Sequence, residues 1–157
     1  MKIILAETAG FCFGVNRAVQ MVYDLLKNSR KVCTLGPIIH NPQLVEELGR
    51  QGVKIVESPK EVQKDEVLVL RSHGVEAAVI EEAKESGVEY ADATCPFVAK
   101  IHTIVSQANG PVLIAGDENH PEVQGIRSYV KGESLVFRNS LEHDEIFKNL
   151  NEDLFRP

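Results

Sequence analysis

Short apolar runs alternate with amphipathic stretches along the whole chain. Residues 2–6 read as a strand and 15–27 as a helix, with Val15, Ala18, Val19, Val22, Leu25 and Leu26 at the three-and-four spacing of one buried face. Residues 31–35 predict the next strand. Asn41 and Pro42 are a cap and first-turn proline for a helix through Leu48, stopped by Gly49 and Gly52. Residues 53–56 are a short strand, and 57–65, polar and broken by Pro59, a loop with a helical turn. The run EVLVL at 66–70 reads as a strand buried on both faces. A helix at 75–86 ends at Gly87, with a strand at 88–91 after it. A helix at 96–108, a strand at 111–115, a helix at 123–129, a strand at 135–137 and a polar helix at 141–150 follow.

Strands alternating with helices imply an α/β fold: small parallel sheets flanked by helices, in repeated βα units with right-handed crossovers. A boundary near Pro96 divides the chain into a first α/β domain, 1–95, and a partial second one, 96–157. The 157 residues are 43% hydrophobic and 25% charged, the balance of a soluble globule. A net charge of −6 argues against nucleic acid or an anionic membrane as partner. The apolar start is broken by Glu7, and no stretch is long enough to span a bilayer. Three widely spaced cysteines form no disulfide framework, so the expectation is a cytoplasmic chain with reduced thiols.

The unusual side chains fall at one kind of position. Cys12 lies in AGFCFGV, between the first strand and its helix. His40 lies in GPIIHNP, His73 in RSHG, Cys95 in DATCP and His120 in GDENHPE, each between the end of a strand and the start of a helix. In an open parallel sheet those ends share one edge, where ligands bind, so residues remote in sequence would converge on one crevice. Gly10 and Gly14 allow a tight turn and a close approach, and a thiol at a helix start feels the positive end of the dipole. Two thiolates suit a soft metal or an iron–sulfur cluster. Three imidazoles, Arg71 and several helix N-termini suit a phosphate or diphosphate, with Glu122 as a proton donor or acceptor beside them and Thr94 as a donor or cap. Taken singly, each has a plainer role: Cys95 as a helix cap, the histidines as turn residues bonded to backbone. Cys33, inside a strand, reads as core; His102 and His143 read as surface or packing residues.

The segments AGFCFGVNRAV, LGPIIHNP, RSHGV, DATCPFV and NHPEVQG, in this order, closely resemble the LytB/IspH family of 4-hydroxy-3-methylbut-2-enyl diphosphate reductases. The resemblance covers the chain to about Val136. It implies the final step of non-mevalonate isoprenoid biosynthesis, in which an allylic alcohol diphosphate takes up two electrons and two protons, loses water and gives isopentenyl and dimethylallyl diphosphates. It also implies a [4Fe-4S] cluster on three cysteines, with Cys12 and Cys95 as two of them. By the same resemblance His40, His73 and His120 bind the diphosphate and Glu122 relays a proton. Ferredoxin or flavodoxin would be the electron donor. Family members are nearly twice as long, with three similar domains around the cluster, so the chain reads as the amino-terminal half, lacking the third cysteine. The segment from His102 to Val112 is shorter than the family pattern, and the tail after Phe137 carries none of these motifs. Such a half would need its carboxyl-terminal partner or would self-associate through an apolar face. Two other readings stand beside it: a non-catalytic domain that binds diphosphates or docks a partner, and a zinc hydrolase, which the absence of CxxC and HExxH disfavours.

Overall fold

The computed structural model of the chain describes residues 2–142. Strands β1 (Lys31–Leu35), β2 (Lys54–Val56), β3 (Glu66–Leu70) and β4 (Glu89–Asp92) form one sheet in the order β2-β1-β3-β4. All its pairings are parallel: Cys33 lies opposite both Lys54 and Leu68, and Leu68 opposite Tyr90. A second parallel sheet pairs β5 (Val112–Ala115) with β6 (Ser134–Phe137), Ile114 opposite Val136. Helices α1 (Phe13–Lys27), α2 (Pro42–Arg50), α3 (Ala77–Glu85), α4 (Pro96–Ser106) and α5 (Pro121–Ser128) connect them, with a 3-10 turn at Pro59–Glu61. The α/β architecture of small parallel sheets and flanking helices holds.

Burial follows the alternation of the strands. β3 is buried along its whole length. Val69 packs with Ala18 and Val22 of α1 and Leu48 of α2, while Leu68 and Leu70 pack on the other face with Ala83 of α3. The sheet is therefore sandwiched, and truncating Leu68 to alanine costs about 2–5 kcal/mol. A smaller core of Val105, Ile114, Val123 and Ile126 joins α4 and α5 to the second sheet. Local signals set the helix starts. Asn41 Oδ1 accepts from Leu44 N at 3.0 Å, and α2, α4 and α5 each begin with proline.

One charged cluster is built into the sheet. Glu66 opens β3 and is 3% exposed. Its carboxylate accepts from Gln63 N, Lys54 Nζ and Cys33 Sγ, and these bonds, the backbone one first, hold its pKa down at about 2. Burial, with the Glu66 carboxylate alongside, pushes the Cys33 thiol up to about 12. Cys33 is fully buried, as its mid-strand position predicts.

Residues 2–6 do not form the expected strand. Ile3, Ile4 and Leu5 are 79%, 78% and 81% exposed. The run is β-prone, but among the described residues no strand lies beside it to complete a hydrogen-bonded ladder. Cys12 therefore follows an extended arm rather than a strand. α1 begins at Phe13 and α5 at Pro121, two residues before their apolar patterns. α3 begins at Ala77 rather than 75, and α4 ends at Ser106, short of Ala108. Most of the polar helix expected at 141–150 lies outside the described residues.

Candidate active site

The chain leaves β1 toward β2 and returns to β3 on the other side of β1, so the loops after β1 and β3 diverge at a switch point in the sheet. His40 lies in the first loop and His73 in the second. Their rings stack, with centroids 5.1 Å apart and planes 16° from parallel. The loop after β4 brings Cys95, the loop after β5 brings His120, and Glu122 sits in the first turn of α5. One cleft of about 480 Å3 is bordered by Cys12, His40, His73, Cys95, His120 and Glu122 together.

Both cysteines are helix caps by position only. Cys12 precedes α1 and Cys95 precedes α4, and neither thiol hydrogen-bonds the exposed amides. Both are free thiols. Gly14 brings α1 against Cys95: a Cβ there would lie 2.5 Å from Cys95 Sγ and 2.9 Å from its Cβ. Only a residue without a side chain permits that approach. Arg17 ties the same helix to the Cys95 loop, donating to Thr94 O at 3.1 Å and Asp92 O at 3.3 Å.

Burial, aided by Arg71, His40 and His120, holds His73 down at about 4, so its ring is neutral at neutral pH. His73 Nε2 is buried without a hydrogen-bond partner. Such an orphan costs free energy that a hydrogen-bond partner would recover. His120 Nδ1 accepts from Glu122 N at 3.2 Å. That bond assigns the proton to Nε2, which is left to donate. Arg71 does not border the cleft; its Nε donates to Gly74 O at 3.2 Å and braces the His73 loop, while its charge acts on the His73 ring.

Ser72 and Arg17, which lie within the segments RSHGV and AGFCFGVNRAV without a role read for either, hold these loops together through main-chain carbonyls. Thr94 is buried, and His102 is a packing residue. His143 lies outside the described residues. Among the described residues no three His, Cys, Asp or Glu side chains gather into a metal site of their own. No helix among them is long and apolar enough to cross a membrane.

Comparison with known proteins gives one consistent result. The family model described as LytB protein matches residues 3–155, well past Phe137, so the tail without quoted motifs is family sequence too. A 4-hydroxy-3-methylbut-2-enyl diphosphate reductase from Geobacter metallireducens is 48% identical over 139 residues, 87% of this chain and 49% of its own. One from Caldanaerobacter subterraneus is 40% identical over 152 residues, 92% of this chain and 52% of its own. A solved (E)-4-hydroxy-3-methyl-but-2-enyl diphosphate reductase superposes with a TM-score of 0.79 at 38% identity, over 98% of this chain and 60% of that one. The E-1-hydroxy-2-methyl-but-2-enyl-4-diphosphate reductase of Plasmodium falciparum superposes with a TM-score of 0.82 at 29% identity, over 92% and 46%. The chain spans about half the length of the curated relatives it matches. With its motifs, its fold and a family match over nearly all its residues in agreement, the chain belongs to the LytB protein family.

Proposed function

We propose that the chain forms part of a 4-hydroxy-3-methylbut-2-enyl diphosphate reductase, contributing the diphosphate site and two thiols of an iron–sulfur centre. The observation that carries this reading is the meeting of two free thiols, three imidazoles and a carboxylate on one cleft. Cys12 and Cys95 fit as ligands because neither thiol is committed to capping its helix. Cys33 cannot join them: it is fully buried in the sheet and bonded to Glu66. The third cysteine of a [4Fe-4S] cluster would come from further polypeptide. The chain would divide into two units, 1–95 and a partial second at 96–157, with Cys95 of the first and His120 and Glu122 of the second on the cleft, and the rest of the enzyme would cover its open side.

The cluster, when bound, supplies electrons and a Lewis-acidic iron to the allylic alcohol end of the substrate. The protein's own part is to hold and to protonate. His120 donates from Nε2, and His73 Nε2 gains the partner it lacks. His40, stacked on His73, completes the set. The amino ends of α2 and α5 add partial positive charge. A diphosphate anchored this way fixes the direction in which the far end of the substrate points. Glu122 delivers the proton with which the hydroxyl leaves as water. Two electrons and two protons enter and one water departs, the electrons coming from a small cytoplasmic carrier such as ferredoxin or flavodoxin.

Anaerobic reconstitution with iron and sulfide tests the reading. Broad visible absorption that disappears in Cys12→Ser and in Cys95→Ser is the expected result. A colourless chain that still binds pyrophosphate would favour the non-catalytic diphosphate-binding domain, and stoichiometric zinc would favour the hydrolase. Combined with the complementary half, Glu122→Gln should keep the absorption and lose turnover.

A further inference from the structure

His102 occupies a junction that the mechanism above does not use. It lies in α4, seven residues after Cys95, and is 7% exposed. Its ring stacks on Tyr129, centroids 4.2 Å apart and planes 16° from parallel. It also meets the loop that bears His73: a Cβ on Gly74 would lie 2.8 Å from His102 Cε1 and 3.5 Å from Nε2. Gly74 has φ +82°, so the loop passes the imidazole as bare backbone in the left-handed region. On a third side is α5, where a Cβ on Gly125 would lie 3.7 Å from His102 Nε2 and 3.7 Å from Val75 O. Gly125 is just under one turn beyond Glu122. Ser128 secures the same contact, accepting from Ala77 N at 2.9 Å and donating to Gly125 O at 2.6 Å.

We propose that His102 is a positioning residue, a wedge that sets the His73 loop and the Glu122 helix at a fixed spacing from Cys95. The proposal rests on the reading of the cleft given above. Two glycines face the ring, which makes the nearest side-chain contact at Gly74, with Thr94 Cγ2 3.5 Å from the same Cβ position. An imidazole suits the place because it is flat, small and able to stay neutral. Burial lowers its tendency to protonate, with Asp92 pulling the other way. Its Nε2 has no protein partner, so no other bond fixes the ring, and the stack on Tyr129 and the two backbones locate it.

The test is pyrophosphate titration of the chain by calorimetry, with the ring signals of its histidines followed by NMR. His102→Ala should bind pyrophosphate about tenfold or more weakly, as expected when a displaced support moves a contact by about an ångström, and should shift the His73 ring signal before ligand is added. His102→Gln, which keeps bulk and a polar tip, should recover most of the affinity; it also provides the measurement if the alanine variant does not fold. Val105→Ala removes a buried side chain from the same helix, and should lower the melting temperature while leaving affinity unchanged. Unchanged affinity in both His102 variants, or equal loss in Val105→Ala, would overturn the proposal while leaving the function above intact. Failure of the unaltered chain to bind pyrophosphate would overturn the reading of the cleft and this inference with it.

Discussion

The backbone nitrogen of Cys95 donates to the carbonyl oxygen of Ser72 over 2.8 Å, joining the loop that bears one thiol to the loop that bears His73. Ser72 also reaches the other way. Its own nitrogen and its Oγ both donate to Ile38 O, at 3.4 and 3.3 Å, two residues before His40. One buried serine thus links the loops after β1, β3 and β4. The spacing of His40, His73 and Cys95 is set largely by main-chain bonds through this point.

Replacing Ser72 with alanine removes only the hydroxyl bond, because Ile38 O keeps the backbone donor. The expected loss is about 1 kcal/mol of unfolding free energy, measured by urea denaturation, with an altered His40 ring signal. An unchanged midpoint and unchanged signal would show that the hydroxyl holds nothing.

Gly14→Ala sets two effects of opposite sign against each other. Alanine favours the helix by about 1 kcal/mol, while a methyl 2.5 Å from Cys95 Sγ forces overpacking that costs about 1–3 kcal/mol. The clash should win. The variant should be less stable, and Cys95 should react at a changed rate with a thiol reagent while buried Cys33 stays inert. A variant more stable than the original would place α1 away from Cys95.

Acid should weaken the fold in two stages. Native His73 titrates at about 4 against an ordinary 6.5, so between those values the unfolded chain takes a proton that the native ring refuses. Stability from this group is complete above pH 6.5 and is lost as the pH falls toward 4. Glu66, at about 2 against 4.5, adds a second loss below pH 4.5. Urea midpoints measured against pH should show the upper limb flattened in His73→Gln and the lower limb flattened in Glu66→Gln. An upper limb that survives His73→Gln would assign it to other groups.

Much of this was legible in the chain. His40, Cys95 and His120 announced themselves because each stands next to a helix-start signal: His40 before Asn41-Pro42, Cys95 before Pro96, His120 before Pro121. EVLVL declared a strand buried on both faces by its continuous apolar run, and β3 is buried throughout. The arm at residues 2–6 misled because a sequence reports the wish to form a strand and not the neighbour that would pair with it. His102 was ambiguous because its burial depends on Gly74 and Gly125, far along the chain. Ser72 and Arg17 lie in the quoted segments, but their bracing role left no signature, since they act through backbone carbonyls that any residue could offer.

Large apolar side chains remain open to solvent. Phe13 is 64% exposed, and Phe97 and Ile104, on one face of α4, are 71% and 58% exposed. Apolar surface of this kind favours association. The chain alone should self-associate in sedimentation velocity, and Phe97→Ser combined with Ile104→Lys should suppress it. A species that stays monomeric as concentration rises would contradict this.

The central claim is that one cleft gathers the three imidazoles around a diphosphate, and its most direct test is an NMR pH titration of the histidine rings with and without pyrophosphate. An anion beside His73 favours the charged ring, so its pKa should rise from about 4, His40 and His120 should shift at the same ligand concentration, and His102 should show no direct contact. A His73 titration that pyrophosphate leaves unmoved, or equal shifts in every histidine of the chain, would contradict the account.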